Sequence, residues 1–110
     1  MSSKILVGAD IVPTESNNDR FASGDIDYLV GEKLKDRLQD ASFIVMNLEV
    51  PLVDIKSPIR KCGPCLIAPS LSVKGIKIIN PYFLTLANNH ILDQGTAGLA
   101  STIKLLEERY

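Results

Sequence analysis

Residues 83–95 read F-L-T-L-A-N-N-H-I-L-D-Q-G, and this stretch decides the fold of the 110-residue chain. Its first five residues form an apolar run that is typical of a buried strand. The polar residues that follow include the only histidine, His90, and an amphipathic segment begins at about Thr96. A strand that runs through a polar turn into a helix is a building block of α/β folds, whose ligands bind where such strands end.

Outside this stretch, strand and helix signals continue to alternate. Apolar runs at residues 5–7, 43–46 and 82–86 predict three strands. Residues spaced by four predict an amphipathic helix that begins near Asp27, which can act as its cap, and a second helix from Thr96 onward. We therefore expect an α/β fold with a mostly parallel central sheet flanked by helices.

Three further segments have less regular patterns. Residues 13–18 are polar and rich in turn formers, which predicts a loop. Residues 50–69 contain four prolines, which exclude a helix and favour an irregular excursion or a loose hairpin. Residues 70–79 fit a short helix capped by Ser70, although residues 76–79 fit a strand equally well.

Composition narrows the class of protein. Apolar residues make up 45% and charged residues 23%, which is typical of a soluble domain, so we expect residues 1–110 to form a single domain. A net charge of −1 gives no basis for binding nucleic acid or an anionic membrane. Without a signal peptide or an apolar run of about 20 residues, we expect a cytoplasmic protein that does not insert into membranes.

Side chains that can bind metal follow each predicted strand. Asp10 follows the first strand, Asn47 and Glu49 end the second, and Asn89 and His90 follow the third. The carboxyl ends of parallel strands lie along one edge of a sheet, so these groups can converge. Carboxylate, amide and imidazole ligands suit Mn²⁺, Fe²⁺, Mg²⁺ or Zn²⁺.

Five segments of the chain match a known pattern in order and at about its spacing. They are V-G-A-D (7–10), N-L-E-V-P-L (47–52), P-I-R-K-C-G-P (58–64), L-A-N-N-H-I-L-D-Q-G (86–95) and G-L-A-S-T (98–102). Through them the chain resembles the CapA family of capsule and poly-γ-glutamate synthesis proteins, a branch of the calcineurin-like metallophosphoesterase superfamily. The resemblance spans residues 5 to about 106.

The resemblance implies a fold and a function. The fold would be the first half of a metallophosphoesterase-like α/β sandwich. Because the last helix runs to the final residue with no stop signal, we expect residues 1–110 to be the N-terminal part of a longer protein. The function would be metal-dependent hydrolysis in capsule or poly-γ-glutamate biosynthesis, with a phosphoester or a poly-γ-glutamate-like substrate. One divalent ion, or a pair of them, would be the cofactor.

The resemblance also implies roles for individual residues. Asp10, Glu49 and Asn89 would bind metal, while His90 and Asp93 would be catalytic, with Asp93 orienting the imidazole. The remaining candidates, which would bind substrate, are Asn47, Asn88 and Lys61. Of these, Lys61 would bind an anionic group.

Two departures from the superfamily pattern make the site incomplete. The superfamily usually begins D-x-H, whereas this chain reads Asp10-Ile11-Val12. The superfamily's later histidine ligands come from a second half of the fold, and this chain has one histidine in total. These residues alone cannot build a dinuclear site.

Ordinary structural roles are open for the same residues. Asp10 and Glu49 are also explained as strand-end or loop acids, and Asn88 and Asn89 as turn formers. His90 could be a structural histidine bonded to Asp93, and Asp93 could cap the last helix.

Two other function classes follow from the sequence. A non-catalytic interaction module would use uncovered sheet edges and helix faces to pair two copies into a homodimer or to bind a partner. A thiol oxidoreductase would use Cys62-Gly-Pro-Cys65, a string that equals the thioredoxin redox motif. That activity requires Cys62 at a helix N-terminus, which Pro69 makes difficult to form.

Overall fold

The central sheet has three strands in the spatial order β1–β2–β3, in a computed structural model that describes residues 2–109. The strands are β1 (Ile5–Ile11), β2 (Phe43–Leu48) and β3 (Phe83–Thr85). Both neighbouring pairs are parallel. The predicted α/β class with a parallel sheet is therefore confirmed, and each strand lies at the apolar run that predicted it.

Within residues 2–109, four helices accompany the sheet. They are α1 (Asn18–Ser23), α2 (Ile26–Asp40), α3 (Val73–Ile79) and α4 (Gly95–Arg109), and a 3₁₀ turn (Ser70–Ser72) leads into α3. The strand alternative for residues 76–79 is therefore wrong. Among the described residues, no helix combines the length and the apolar character that crossing a bilayer requires.

The first two helices differ in part from the prediction. The loop predicted for residues 13–18 is confirmed as far as Asn17, and α1, which was not predicted, begins at Asn18. Its six residues bury only Phe21, so they carry no amphipathic repeat that a sequence pattern could reveal. The cap of α2 is Asp25, whose side chain accepts a hydrogen bond from Tyr28 N, and not Asp27.

Residues 53–68 form a closed loop, which we call the 53–68 loop. Its ends meet where Val53 N donates to Ala68 O at 2.9 Å and Ala68 N donates to Pro51 O at 3.1 Å. The bridge between Leu52 and Ala68 is parallel, which excludes the hairpin alternative. The predicted irregular excursion is therefore what the chain forms, and its two ends are held together.

Only one face of the sheet is covered by helices. Leu6, Ile44 and Leu84 lie on that face and join one hydrophobic cluster with helix residues such as Leu38 and Ile76. Alternate residues point to the opposite side, which we call the open face: Ile5, Val7, Phe43, Val45 and Phe83. Val7 is 75% exposed and Phe83 is 57% exposed. The apolar runs indicated strands buried on both sides, but such runs do not reveal which neighbour covers each side.

An irregularity in β1 sets the direction of Asp10. Val7 pairs with Val45, and Asp10 pairs with Asn47, so β1 holds one extra residue across this interval. In a regular strand Asp10 would point away from Asn47, because successive side chains alternate between faces. The extra residue instead places the Asp10 and Asn47 side chains on the same side of the sheet.

Candidate active site

A polar row crosses the carboxyl ends of the three strands. Asp10 on β1, Asn47 on β2 and Thr85 on β3 are register partners in adjacent strands. Asn47 Nδ2 donates to Asp10 Oδ1 at 2.9 Å, and Thr85 Oγ1 donates to Asn47 Oδ1 at 2.9 Å. The polar row lies on the same side of the sheet as the open face, next to its apolar residues.

Asn47 is the hub of this row. Its Nδ2 also donates to Glu49 Oε2 at 2.7 Å, and its Oδ1 also accepts from Asn88 Nδ2 at 3.2 Å. Two donors and two acceptor positions are all that a side-chain amide offers, so four protein contacts fill its capacity. Substrate binding by Asn47 stays a prediction, and it would require one of these contacts to be exchanged.

The shared amide nitrogen brings two carboxylates together. Asp10 and Glu49 each use one oxygen on the same Nδ2 atom, which leaves the second oxygen of each carboxylate outside that contact. Asp10 is exposed and Glu49 is half-buried. A cation between these two like charges would offset the repulsion between them.

Asn88 ties the polar row to the turn after β3. Its Nδ2 donates to Leu48 O at 2.8 Å, while its Oδ1 accepts from the backbone N–H groups of His90 and Ile91 at 3.0 and 2.9 Å. Asn88 is thus a turn former, as one of the alternatives held, and its substrate contact stays a prediction. Asn89 lies next to it with an exposed side chain at the same edge of the sheet.

His90 is bonded to a buried carboxylate. His90 Nδ1 lies 2.6 Å from Asp93 Oδ2, and the Asp93 side chain is fully buried. Lys61 Nζ lies 2.5 Å from Asp93 Oδ1, and Leu66 N donates to Oδ2 at 2.6 Å. These contacts, and not the first turn of α4, take up the carboxylate, so the helix-cap alternative for Asp93 is wrong.

The charge state of Asp93 follows from these neighbours. Burial by itself raises the pKa of a carboxyl group, because water no longer stabilises the anion. The hydrogen bonds from Lys61, from the Leu66 amide and from His90 outweigh burial and hold the pKa of Asp93 below its ordinary value. Asp93 is therefore an anion at neutral pH.

The residue after Asp93 anchors the 53–68 loop. Ser57 N donates to Gln94 Oε1 at 2.8 Å, and Gln94 Nε2 donates to Leu66 O at 3.1 Å, so Gln94 binds both limbs of the loop. Gln94 is 2% exposed. Sequence reasoning missed Gln94, which directly follows the candidate Asp93, and Thr85, which meets Asn47 only through the pairing of β2 with β3.

The structure thus sorts seven of the eight predicted residues into two groups, and the exposed Asn89 side chain makes no hydrogen bond to either group among the described residues. Asp10, Asn47, Glu49 and Asn88 form one connected hydrogen-bond network. The second group is made up of His90, Asp93 and Lys61, and the turn at Asn88–His90 joins it to the first.

No compact set of strong metal ligands is present in residues 2–109. Within them, no three histidine, cysteine, aspartate or glutamate side chains are placed to hold an ion together. Any ion bound at the predicted position would use two carboxylates with amide or backbone oxygens.

The cysteine pair lies in the 53–68 loop and outside any helix. Cys62 is exposed, Cys65 is half-buried, and both are free thiols. Cys65 Sγ lies 3.3 Å from Ile59 O. Cys62 therefore lacks the helix N-terminus on which a thioredoxin-type redox motif depends.

Comparison with known proteins identifies the family. A family model described as "Bacterial capsule synthesis protein PGA_cap" matches residues 4–110, which include all three strands and both groups of candidate residues. A search of curated proteins gave no match. The resemblance inferred from the five sequence segments is confirmed, and the chain belongs to the family of bacterial capsule synthesis proteins.

Proposed function

We propose that this capsule synthesis family member carries a metal-dependent hydrolase site at the carboxyl edge of its sheet. The substrate class would be a phosphoester, or an amide of a poly-γ-glutamate-like polymer. One observation carries the proposal, namely that Asp10 and Glu49 share a single nitrogen atom of Asn47. Acidic residues at strand ends are common, but two carboxylates brought together on one amide are a feature that a bound cation explains.

The donor set fits a hard or borderline divalent cation. Carboxylate and amide oxygens are ligands for Mg²⁺ and Mn²⁺, and the free oxygens of Asp10 and Glu49 with the Asn89 amide would hold one ion. When bound, such an ion would stabilise the negative charge that develops on the oxygen atoms of the reacting group.

His90 would act on the reacting group from the other side of the turn. Its Nδ1 is occupied by Asp93, which leaves Nε2 as the nitrogen that can take or give a proton. The side chain is 17% exposed, so the ring is held by protein contacts while one edge stays within reach of a substrate. Asp93, fully buried, orients the ring and would not touch the substrate.

Binding of Mn²⁺ tests the metal site directly. We expect Asp10→Asn and Glu49→Gln each to weaken Mn²⁺ binding by about tenfold or more, since each removes one anionic ligand. Electron paramagnetic resonance of free Mn²⁺ measures the loss. Glu32→Gln is the matched control, because Glu32 is an exposed acid on α2, away from the sheet edge. Equal binding by all four proteins would show that Mn²⁺ lies elsewhere.

Hydrolysis assays separate the two substrate classes. p-Nitrophenyl phosphate reports phosphoester cleavage, and γ-glutamyl-p-nitroanilide reports amide cleavage, each measured with and without Mn²⁺. We expect slow Mn²⁺-dependent release of nitrophenol or nitroaniline, because the ligand set is incomplete, and we expect His90→Asn to abolish it. Turnover that His90→Asn leaves unchanged would contradict the role given to His90.

The open face favours a second candidate function, pairing of two copies without catalysis. Ile5 and Phe43 are register partners, as are Val7 and Val45, so exposed and half-buried apolar side chains form rows across the sheet. Contiguous exposed apolar surface of this kind marks interaction sites. We expect light scattering to show a dimer that Val7→Lys dissociates. A monomer at every concentration would exclude this candidate.

A further inference from the structure

Lys61 lies inside the His90 cluster and does not face a substrate. Its Nζ atom is 2.5 Å from Asp93 Oδ1 and 3.5 Å from both the Asn89 carbonyl oxygen and His90 Nδ1. The side chain is only 20% exposed, and its charge is matched by the fully buried Asp93. A cation paired in this way is a poor anchor for a substrate anion, so its contacts indicate a different task.

The distances favour a proton on Nδ1 of His90 over one on Nε2. Nδ1 is 2.6 Å from Asp93 Oδ2 but 3.5 Å from Lys61 Nζ. An unprotonated Nδ1 would point its lone pair at a carboxylate oxygen at hydrogen-bond distance, which is repulsive. The proton therefore sits on Nδ1 and is donated to Asp93, and in the neutral ring Nε2 keeps its lone pair.

Asp93 can give this orientation only if its own carboxylate is fixed. Oδ2 accepts from both Leu66 N and His90, whereas the contact on Oδ1 is Lys61. Without Lys61, Oδ1 would be a buried charged oxygen with no donor, which is costly, and the carboxylate could rotate to recover one.

The 53–68 loop delivers Lys61 to this position from a fixed backbone. On one side of Lys61, Ser57 Oγ donates to Gln94 O at 2.7 Å and Ile59 N donates to Asp93 O at 2.9 Å. On the other side, Leu66 N donates to Asp93. The loop is thus attached to the Asp93–Gln94 pair on both sides of Lys61, and the ammonium group reaches Asp93 without having to order a mobile segment.

We propose that Lys61 is a positioning residue, which holds Asp93 Oδ1 so that Oδ2 fixes the tautomer of His90 and leaves Nε2 for the reacting group. The identity of that group rests on the proposed hydrolase function, but the tautomer does not. The proposal moves Lys61 from substrate binding to support of His90. It also assigns the 53–68 loop a role in preparing the site.

Because the chain has one histidine, nitrogen NMR of the imidazole ring gives a single unambiguous pair of signals. We expect the wild-type ring, in its neutral form at alkaline pH, to show a protonated Nδ1 and an unprotonated Nε2. Lys61→Met should shift both signals toward the average of two tautomers. Lys61→Arg, which keeps a charged donor, should restore most of the wild-type pattern.

The control is Lys56→Met, the same substitution at an exposed lysine of the same loop, and it should leave the ring signals unchanged. Ring signals in Lys61→Met that equal those of the wild type would overturn the proposal. Protonation of the wild-type protein's ring on Nε2 would overturn it as well, and that measurement does not require any variant to fold. Unchanged ring signals with weaker binding of inorganic phosphate would instead show that Lys61 contacts the substrate. None of these measurements uses Mn²⁺, so their outcome does not depend on whether the proposed metal site exists.

Discussion

Replacing Asp93 by asparagine is expected to lower the free energy of unfolding by about 3 kcal/mol, because it breaks a buried charge cluster while keeping its shape. Lys61, Leu66 N and His90 all donate to this carboxylate. An asparagine offers one acceptor oxygen, and its NH₂ group would face one of these donors. Urea denaturation at neutral pH measures the loss, and the midpoint of thermal unfolding should fall by roughly 10–20 °C.

The same variant should change how stability depends on pH. Since the pKa of Asp93 in the folded protein lies below its unfolded value of about 3.9, ionised Asp93 contributes stability above that value. The contribution is lost as the pH falls through the folded pKa. The difference in unfolding free energy between the wild type and Asp93→Asn should therefore be largest near neutral pH and should decrease below about pH 4.

Asp36→Asn provides the matched control for both measurements, since Asp36 is an exposed acid on α2. It should change stability by less than about 0.5 kcal/mol at neutral pH. If Asp93→Asn were as mild as the control, or if its effect were the same at pH 3 as at pH 7, the charge cluster around Asp93 would not hold the turn to the 53–68 loop.

Asn47→Asp is expected to have the second large effect, a loss of about 2–4 kcal/mol in the absence of divalent ions. The substitution removes the two N–H groups that bind Asp10 and Glu49 and puts a third negative charge between them. The acceptor contacts from Thr85 and Asn88 can remain, because the aspartate keeps an oxygen in the same place.

Mn²⁺ should reverse part of that loss. A ligand that binds only the folded state stabilises it by about 2.7 kcal/mol when its concentration is about a hundred times its dissociation constant. We expect Mn²⁺ to raise the thermal midpoint of Asn47→Asp more than that of the wild type, because three carboxylates then converge. Gln39→Glu adds one charge at an exposed position on α2 and should show no such gain. Equal gains in all three proteins would contradict convergence at Asn47.

The sequence was sufficient to predict the sheet and its polar edge. Three short apolar runs predicted the strands. These runs end in Asp10, in Asn47 and in the Asn88–Asn89 pair, and a parallel sheet places those polar ends together. This worked because the spacing of apolar residues and the parallel topology together determine which strand ends are neighbours. The family resemblance, confirmed over residues 4–110, rested on the same segments.

Other features could not be predicted, because they depend on contacts between distant residues. Nothing local shows that Asn47 holds two carboxylates at once, or that Lys61 crosses to Asp93 from a loop about 30 positions earlier. The short helix α1 buries a single residue, so it has no repeat to detect. The exposure of Val7 depends on what lies opposite it in space, and an apolar run gives no information on that.

The extra residue in β1 separates the apolar half of that strand from its polar end. As far as Val7, the side chains of β1 alternate between the two faces in step with their partners on β2. The extra residue shifts this alternation by one position, so that Asp10 again lies on the same face as its partner Asn47. A shorter strand without Ala9 would run in simple alternation and still aim its carboxylate at Asn47. Loss of one residue here would therefore leave the carboxylate on the side of Asn47, whereas in a regular strand a shift by one position turns every later side chain to the other face.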